Sequence, residues 1–480
     1  MFLGIDIGTS GVKAVVMDEA GGIAAQSTAP LTASRPHPGW SEQDPADWWR
    51  ATNEAVLGLP AEHRARVRAV GLSGQMHGAT LLGADDAVLR PAILWNDGRS
   101  APQCEALDAP AREHTGNLAM PGFTAPKLAW VREHEPDVVA RTAKVLLPKD
   151  YVRLLMTGAY ATDLSDASGT IWLDVGARAW SPDMLAATGL TEDHMPSVHE
   201  GSEQTGTLTA DTAAAWGMGR VPVAAGGGDN AAGAVGAGVT RPGDAFLSLG
   251  TSGVLFLAGE GFRPNPERGV HAFCHALPGL WHEMTVMLSA ASCVDWAMRL
   301  TGAPGAGALI ASAEAQGDLG APLLFLPYLS GERTPHNDPH ARGVLFGLDH
   351  DSGQAQVAQA VLEGVALAFA DGFAILDGGD RVDAVTVIGG GARSDYWGRI
   401  LAAALGKPLV YRQDAEVGPA YGAAKLAALC VGASDDILAP PPILHTIEPR
   451  TGDIDALAAK RARFDALYTA TKPILTRDRA

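Results

Sequence analysis

Two stretches of the chain place short apolar segments on either side of a glycine-rich turn, and they lie about half a chain apart. The first runs from Phe2 to Met17 and turns at Gly8 to Gly11. The second runs from Ala245 to Leu257, where Ser248 to Val254 repeats the pattern of residues 6–12. Apolar strands that flank a glycine turn are typical of a β-hairpin. The sequence therefore predicts the same hairpin twice.

This repeat predicts two similar domains of the α/β class, each opening its sheet with a hairpin. The boundary falls near residues 238–243, so the domains are expected at 1–240 and 241–480. The turns of the two hairpins are then expected to face a shared cleft between the domains. The tail after about residue 430 is harder to interpret, and one arrangement open to it is packing back on the first domain.

The spacing of apolar residues predicts further elements around the two hairpins. A helix is expected from Pro45 onward, because proline at the first helical position follows an aspartate N-cap. Every fourth position from Val357 to Phe373 is apolar, which predicts one long helix with a buried face. Val385 to Ile388 is expected to be a strand that runs into Gly389 to Gly391, before a helix from Ser394 to Leu405. Such a strand, glycine turn and helix favour a nucleotide site.

The hairpin turns have the composition of anion-binding loops. Thr9 and Ser10 lie between Gly8 and Gly11, and residues 250–253 repeat this arrangement. Glycine lets backbone N–H groups approach an anion closely, and the hydroxyls add further donors. Two such loops facing each other can hold a triphosphate, although two ordinary hairpin turns are the alternative.

Two carboxylates occupy unusual positions, one after a run of glycines and one inside a hydrophobic strand. Asp229 and Asn230 follow the predicted strand Val221 to Ala225 and the glycines 226–228, at the start of a small-residue helix. Asp229 is either poised in a cleft or a plain helix N-cap. Asp6 lies inside a hydrophobic strand, where a charge is costly unless a cation or hydrogen-bond donors meet it. Two carboxylates beside two phosphate loops suggest Mg²⁺ and a base.

Polar and aromatic residues at other strand ends are candidates for a sugar pocket. His77 follows a predicted strand and could donate to a polar ligand, although a surface-loop histidine is the alternative. The cluster Trp95 to Arg99 combines an aromatic ring with hydrogen-bonding groups, although Asn-Asp-Gly is also turn chemistry. Lys149, Asp150 and Arg333 are weaker candidates, because single charged loop residues are usually solvated.

Composition and charge narrow the class of protein. The chain has 480 residues, 47% of them hydrophobic, and a formal net charge of −18. An acidic surface repels phosphate backbones and anionic lipids, so neither nucleic acid nor a membrane is expected as a partner. The four cysteines are far apart and form no CxxC pair, which favours buried free thiols in a reducing compartment. We therefore expect a cytoplasmic protein.

Taken together, these segments resemble the actin/Hsp70/sugar-kinase superfamily, whose members have two actin-like (ribonuclease H-like) ATPase domains around an active-site cleft. Within it, Gly122 to Trp130 and Gly343 to Glu363 are similar to signatures of the carbohydrate kinases, a family that includes glycerol kinase, gluconokinase and xylulokinase. Five further segments resemble bacterial xylulokinases: Ser34 to Pro45, Gln75 to Gly78, Ile93 to Arg99, Leu147 to Tyr151 and Phe325 to Asn337. The resemblance spans about residues 1–430.

The resemblance implies a magnesium-dependent kinase that uses ATP to phosphorylate D-xylulose at its terminal hydroxyl. Asp229 is then the catalytic base, and Asp6 is needed for activity. Both carboxylates are expected to face Mg²⁺ through water. The residues expected to bind the sugar are Met76, His77, Trp95, Asp97, Asp229 and Asn230. The residues expected to hold ATP are Gly8, Thr9, Ser10, Lys13, Gly250, Thr251, Ser252, Gly389, Gly390, Gly391 and Ala392.

The resemblance also implies a sugar-binding first domain, a nucleotide-binding second domain and a homodimer. Two alternatives remain open at this point. The nearer one is a kinase for another ketose or polyol such as ribulose, because one epimeric hydroxyl changes only a hydrogen bond or two. The farther one is a sugar-independent ATPase of the actin or Hsp70 kind, which controls a partner through its nucleotide state.

Overall fold

The computed structural model describes residues 1–413 and 418–477. Within these ranges the chain forms two α/β halves, each built on a sheet of seven strands. The described residues also form short sheets of two strands each, and most of these short sheets belong to the first half.

The first half contains fifteen strands and ten helices in its described residues. The strands are β1 (Phe2–Ile7), β2 (Gly11–Met17), β3 (Ile23–Pro30), β4 (Glu42–Gln43), β5 (Ala69–Gly74), β6 (Thr80–Leu82), β7 (Ala92–Ile93), β8 (Lys144–Leu146), β9 (Ala161–Asp163), β10 (Leu173–Asp174), β11 (Ala179–Trp180), β12 (Ser197–His199), β13 (Gln204–Thr207), β14 (Pro222–Ala224) and β15 (Gly227–Gly228). The helices are α1 (Pro45–Leu57), α2 (Ala61–Arg64), α3 (Ala101–Thr115), α4 (Thr124–His134), α5 (Pro136–Arg141), α6 (Pro148–Thr157), α7 (Leu164–Ser168), α8 (Pro182–Ala187), α9 (Ala210–Trp216) and α10 (Asp229–Ala237).

The second half contributes nine strands and six helices where it is described. The strands are β16 (Ala245–Leu249), β17 (Gly253–Gly259), β18 (His271–Cys274), β19 (Trp281–Met287), β20 (Leu324–Leu326), β21 (Val344–Phe346), β22 (Val385–Ile388), β23 (Leu409–Arg412) and β24 (Ile443–Ile447). The helices are α11 (Ala291–Thr301), α12 (Ala306–Glu314), α13 (Gln354–Phe373), α14 (Asp395–Leu405), α15 (Gly418–Cys430) and α16 (Thr451–Arg477).

The two large sheets repeat one another strand by strand. Six strands of the first sheet have the order β3-β2-β1-β5-β14-β13, with β15 also paired to β5. Six strands of the second have the order β19-β17-β16-β22-β23-β24, with β18 paired to β19 at the edge. In both, two antiparallel contacts are followed by two parallel contacts and a final antiparallel one. The predicted hairpins are β1–β2 and β16–β17. This confirms the prediction of two similar α/β units.

Predicted helices in both halves also form, for the reasons given by their sequences. The side chain of Asp44 caps α1 by accepting a hydrogen bond from the backbone N–H of Ala46, with Pro45 in the first turn. The long apolar repeat forms α13, which is buried from Val357 to Gly372 and packs against the second sheet. Helix α14 begins after Ser394 and ends at Gly406, which adopts a left-handed φ of +63°.

Helix α15 crosses from the second half to the first sheet. It packs against β1, β5 and α10. Glycines permit this close approach: a Cβ on Gly4 would lie 1.8 Å from the carbonyl oxygen of Ala420, and one on Gly422 would lie 1.8 Å from that of Ala232. Because α10 begins at Asp229, α15 supports the helix on which this candidate residue lies.

The chain after residue 430 divides between the two halves. Ala433 and Ile437 pack beside α15 against the apolar cluster of the first half that includes Phe2. Strand β24 joins the second sheet, and α16 packs against α13 and α14. Packing back on the first half is therefore a property of α15 and the residues that immediately follow it. The division at residue 240 stays a prediction.

The fold can also be compared with two expectations, one about the membrane and one about the cysteines. None of the helices in the described ranges has the length and apolar character that a membrane span requires. All four cysteines are free thiols, with Cys274 and Cys293 buried and Cys104 and Cys430 half-buried.

Candidate active site

The two candidate carboxylates meet at the carboxyl end of the first sheet. Asp6 on β1 lies beside Ser73 of β5, and Ser73 lies beside Gly227 of β15. Asp229 follows two residues later, as the first residue of α10. The N-cap position belongs to Gly228, so the N-cap alternative for Asp229 is wrong. The strand pairing thus brings Asp6 and Asp229 to one edge of the first sheet.

Both carboxyl groups have raised pKa values. Burial raises the pKa of Asp229 to about 7, and the neighbouring charge of Asp6 adds to this effect. Burial also raises the pKa of Asp6 to about 6, although Ser73 and Lys13 oppose the shift. A carboxylate with a pKa near neutrality can accept a proton under physiological conditions, as a general base requires.

Asn230 orients the carboxylate of Asp229. Its backbone N–H and its side-chain amide both donate to Oδ1 of Asp229, at 2.8 Å and 3.0 Å. The second oxygen, Oδ2, has no hydrogen-bond partner among the described residues. This arrangement leaves Oδ2 available to a substrate hydroxyl.

The first hairpin turn is held by a chain of side-chain hydrogen bonds. Thr9 Oγ1 donates to Oε1 of Gln75 at 2.8 Å and accepts from Nε1 of Trp95 at 3.0 Å. Its carbonyl oxygen accepts from Nε2 of Gln43 at 2.7 Å, and Gln75 also donates to Gln43. Because the Thr9 hydroxyl is already engaged, its role here is to fix the turn that exposes Ser10. Gln75 precedes Met76, so this chain connects the turn with the predicted sugar loop.

The second hairpin turn lies against the glycine turn that follows β22. A Cβ on Gly389 would lie 2.9 Å from the carbonyl oxygen of Leu249, and one on Gly391 would lie 2.5 Å from Cγ of that leucine. Leu249 is the last residue of β16, directly before Gly250. Ala392 is in the short 3₁₀ turn Gly390–Arg393, which continues from Gly389. The structure thus brings two predicted ATP segments together.

The second hairpin turn is held by the start of α11, through the carbonyl oxygen of Thr251. It accepts hydrogen bonds from the backbone N–H of Ala290 and from the hydroxyl of Ser292. Thr251 is exposed at the turn, between the half-buried Gly250 and Ser252. Lys13 of the first hairpin is half-buried opposite Asp6.

His77 is held on several sides in an uncommon backbone conformation. Its φ is +73°, in the left-handed region that non-glycine residues seldom adopt. Its carbonyl oxygen accepts from Thr124 and from Nζ of Lys127, and its Nδ1 lies 2.7 Å from the carbonyl oxygen of Gly169. These contacts exclude the surface-loop alternative.

The partner of Nδ1 determines the tautomer of His77. Burial lowers its pKa well below the usual value, so the ring is neutral at neutral pH. The carbonyl of Gly169 can only accept, so Nδ1 carries the proton and Nε2 presents a lone pair. His77 can therefore accept a hydrogen bond from a sugar hydroxyl, so the expectation that its ring donates to the ligand is wrong. Met76 is buried beside it, where a Cβ on Gly228 would lie 3.0 Å from its Sδ.

Trp95 and Asp97 differ in their freedom to meet a ligand. The Trp95 side chain is 38% exposed, and its indole nitrogen bonds to Thr9. Asp97 is buried, and both of its oxygens accept hydrogen bonds from the guanidinium of Arg99. Its Oδ2 also accepts from the backbone N–H of Ser41 at 2.6 Å. Sugar binding by Asp97 stays a prediction, although its carboxylate is already well supplied with donors.

A buried ionic cluster lies beneath the site. Nζ of Lys149 is 2.7 Å from Asp150, 2.8 Å from Asp163 and 3.0 Å from Asp166, and all four side chains are fully buried. Lys149 and Asp150, expected to be solvated, are therefore structural charges. Asp163 caps α7, which ends at Gly169, the partner of His77.

Helix α7 also supports the turn that positions Asp229. Ser165 Oγ donates to Asp163 and accepts the backbone N–H of Gly228 at 3.1 Å. Sequence reasoning did not select Ser165 or Gly169, because their partners are distant in the chain. Gln75 belongs to the segment Gln75 to Gly78 that resembles bacterial xylulokinases, but it was not predicted as a site residue.

The donor set fits a magnesium ion of the kind that ATP carries. Oδ1 of Asp6 is buried and has no hydrogen-bond partner among the described residues, and Asp229 lies close by. Mg²⁺ prefers oxygen ligands and usually takes one or two carboxylates together with phosphates and water. Within the described ranges, no group of three or more His, Cys, Asp or Glu side chains is placed to form a protein-only metal site.

Comparison with known proteins also indicates a carbohydrate kinase. Residues 1–236 match the N-terminal domain, and residues 245–430 the C-terminal domain, of the FGGY family of carbohydrate kinases. The chain is 54% identical to xylulose kinase of Escherichia coli (strain K12), over 99% of this chain and 100% of that protein.

Two crystal structures share the fold over nearly their whole length. A xyloylose kinase from Brucella ovis has a TM-score of 0.94 and 49% identity, covering 98% of this chain and 99% of that one. Xylulose kinase from Rhodospirillum rubrum has a TM-score of 0.90 and 30% identity, covering 99% of both chains. These findings confirm the resemblance stated from the sequence: the chain belongs to the FGGY family of carbohydrate kinases.

Proposed function

We propose that this chain transfers the terminal phosphoryl group of ATP to the terminal hydroxyl of D-xylulose, giving D-xylulose 5-phosphate and ADP. The observation that supports this most directly is Asp229, a carboxylate oriented by Asn230, with a pKa of about 7, that lies near Asp6 at the carboxyl end of the first sheet. The 54% identity to xylulose kinase of Escherichia coli supports xylulose as the acceptor.

Asp229 acts as the general base in this proposal. Oδ1 is held by Asn230, so Oδ2 accepts the proton as the sugar hydroxyl attacks the phosphorus atom in line. Phosphoryl transfer demands little covalent chemistry of the protein, so orientation and charge stabilisation do most of the work. ADP leaves, and the proton stays on Asp229 until solvent takes it.

The two hairpin turns and the glycine turn after β22 hold the nucleotide. Backbone N–H groups at Gly8 to Ser10 and at Gly250 to Ser252 donate to phosphate oxygens, with Lys13 nearby. Gly389 to Ala392 bind the adenosine part of ATP. This turn lies between a strand and a helix, an arrangement that favours a nucleotide site, and it packs against the second hairpin turn. Asp6 and Asp229 would hold Mg²⁺ through water, and the ion would supply positive charge to neutralise the transferred group.

The sugar lies between Asp229 and the loop that contains Met76 and His77. His77 Nε2 accepts a hydrogen bond from a sugar hydroxyl, and Met76 packs against the carbon chain. Trp95 supplies an exposed apolar face at the same pocket, next to the first hairpin turn. Asn230 contacts the sugar or acts through Asp229.

Compartment and assembly belong to the same proposal. Four free thiols suit a reducing environment, so the enzyme works in the cytoplasm. The homodimer that the resemblance implies is tested by sedimentation of the purified protein.

The deciding experiment is ADP production by the purified protein with MgATP. No sugar, D-xylulose, D-ribulose, L-ribulose, D-xylose and glycerol are compared at equal concentration. We expect turnover with D-xylulose well above every other condition. Preference for another ketose or for glycerol would replace the substrate but keep the kinase, whereas equal hydrolysis without sugar would favour a partner-regulated ATPase.

A further inference from the structure

Arg333 lies in a tightly fixed part of the loop between β20 and β21. On one side, Glu332 and Asp338 exchange backbone hydrogen bonds of 2.9 Å and 2.8 Å. On the other, Thr334 donates its backbone N–H to Val286 and accepts the backbone N–H of Val286 with its hydroxyl, both at 3.1 Å. The backbone of Arg333 is therefore held in place independently of its side chain.

The guanidinium of Arg333 has no hydrogen-bond or ion-pair partner among the described residues. Its neighbour Glu332 attracts it electrostatically but makes no hydrogen bond or ion pair with the guanidinium, because Oε1 of Glu332 accepts the backbone N–H groups of Leu288 and Arg333. Burial raises the pKa of Glu332 to about 8, although these hydrogen bonds and Arg333 oppose the shift. Burial also lowers the pKa of Arg333. The Arg333 side chain is half-buried, and a guanidinium held there without a hydrogen-bond partner offers its donors to a ligand.

The tip of Arg333 lies at the predicted sugar pocket. A Cβ on Gly122 would lie 3.5 Å from the Nη2 atom of Arg333 and 2.7 Å from the carbonyl oxygen of Trp95. The next residue, Phe123, has its ring 4.9 Å from that of His77. Arg333 thus reaches from the second half of the chain to the side of the pocket formed by Trp95 and His77.

A second group beside Arg333 also lacks a partner. His271 is 2% exposed, and its Nε2 has no hydrogen-bond partner among the described residues. Its ring lies 5.2 Å from that of Phe123, and the charge of Arg333 contributes to lowering its pKa. Two polar groups of the second half therefore lie unsatisfied around one aromatic ring of the first half.

The chemistry of these groups defines the ligand. A guanidinium offers donors only, in a planar fork, so it suits oxygen acceptors such as a carbonyl and the hydroxyl next to it. Asp229 follows Gly228, which packs on the Met76 thioether, whereas Arg333 lies beyond His77 and Phe123, at Gly122. A sugar whose terminal hydroxyl faces Asp229 and whose carbon chain follows Met76 and His77 therefore has its other end nearest Arg333.

We propose that Arg333 binds the carbonyl end of the ketose and so selects a 2-ketose over the polyol that lacks the carbonyl. This inference rests on the proposed function, because it needs a ketose in the pocket. It also gives the second half a direct contact with the sugar, in addition to its contacts with the nucleotide.

The test compares Arg333→Met with Arg342→Met. Arg342 is a matched control in the same loop, since its guanidinium donates only to the carbonyl oxygens of Pro339 and Ala341. We expect Arg333→Met to raise KM for D-xylulose by about tenfold or more, the effect of losing a charged hydrogen bond. KM for ATP should change less than twofold, and the preference for D-xylulose over xylitol should fall. Arg342→Met should leave all three unchanged.

Thermal melting separates this role from a structural one. If the guanidinium stabilised the fold, Arg333→Met would lower Tm, whereas loss of an unpaired charge should leave Tm unchanged or raise it. Unchanged KM for D-xylulose, or an equal loss for D-xylulose and xylitol, would overturn the inference while the proposed function stood. If the unmodified enzyme phosphorylated no ketose, the proposed function and the inference would both fail.

Discussion

The hydroxyl of Ser165 and the backbone nitrogen of Gly228 are 3.1 Å apart, and this hydrogen bond ties α7 to the residue before Asp229. The same helix ends at Gly169, whose carbonyl oxygen fixes His77. One short helix thus positions both the proposed base, Asp229, and a proposed sugar-binding residue, His77. The buried Lys149 holds this helix through its ion pairs with Asp163 and Asp166.

Replacing Ser165 should therefore impair catalysis as well as stability. In Ser165→Ala, the turn before Asp229 loses the hydrogen bond that fixes it, so we expect kcat to fall by roughly tenfold because the base is displaced. The unsatisfied N–H of Gly228 also costs about 1–3 kcal/mol of folding free energy. Ser168 lies in the same helix and Ser168→Ala is the matched control, because the Ser168 hydroxyl accepts the backbone N–H of Cys274 in β18, away from Asp229. Equal losses of kcat in the two variants, measured by steady-state kinetics, would exclude this positioning role.

Asp229 should determine the acid limb of the pH profile. Its carboxylate must be ionised to accept a proton, so kcat/KM should rise with pH through about 7 and level off above it. Asp229→Ala should lower kcat by roughly 10²–10⁴-fold while nucleotide binding, followed by calorimetry, changes little. Residual turnover above a tenth of normal would show that another group is the base.

The same carboxyl group should reduce the stability of the ligand-free protein at high pH. Its pKa is raised from 3.8 to about 7 in the folded state, so the folded chain holds the proton more tightly than the unfolded chain. Its contribution to stability is therefore present at low pH and is lost as the pH rises from about 4 to about 7.

Asp229→Asn removes this ionisation, so its Tm should exceed that of the original protein by about 2 °C or more at pH 8. The difference should shrink toward pH 5. The exposed Asp211 in the first turn of α9 provides a control, and Asp211→Asn should show no such gain. If the Tm of Asp229→Asn lay below that of the original protein at pH 8, ionisation of the buried Asp229 carboxyl would not be what destabilises the folded protein.

The hydroxyl of Thr9 should affect sugar and ATP binding together. It joins Gln75, beside the sugar loop, to Trp95 and the first phosphate turn. Thr9→Val leaves both partners without their hydrogen bond, so we expect KM to rise several-fold for both substrates. Thr9→Ser keeps the hydroxyl and should behave almost normally. An effect confined to ATP would mean that Thr9 contacts only the nucleotide.

The contact between α15 and α10 should be intolerant of a single methyl group. In Gly422→Ala the added Cβ meets the carbonyl oxygen of Ala232, and such overpacking costs about 1–3 kcal/mol or more. Gly307 in α12 has open space around it, so Gly307→Ala should keep or slightly raise stability. Denaturant unfolding of the two variants measures the difference, and similar stabilities would argue against the close approach.

Local patterns predicted the parts of this fold that depend on neighbouring residues. The two hairpins, the buried face of α13 and the turn after β22 follow from alternation, four-residue spacing and glycine placement. The proximity of Asp6 and Asp229 also follows, because both stand at the carboxyl end of strands in one sheet.

The sequence could not show which distant side chains complete the site. Lys149 was expected to be solvated, yet the adjacent Asp150 and two aspartates from another segment, Asp163 and Asp166, surround it. Arg333 was a weak candidate for the same reason, because its position depends on how the loop after β20 meets Gly122 and Trp95. The Lys149 cluster arises from packing within the first half and the Arg333 contact from the docking of the two halves, and no local spacing records either.

The position of α15 has a consequence for how the chain is made. Tyr421 in this helix donates to the carbonyl oxygen of Gly21, 400 residues earlier, and its neighbours cover β1 and β5. On the ribosome, β1 is finished long before α15 exists, so one apolar side of the first sheet stays uncovered through most of synthesis. Exposed apolar surface of this kind invites aggregation. The first half therefore completes its fold only after nearly the whole chain has been synthesised.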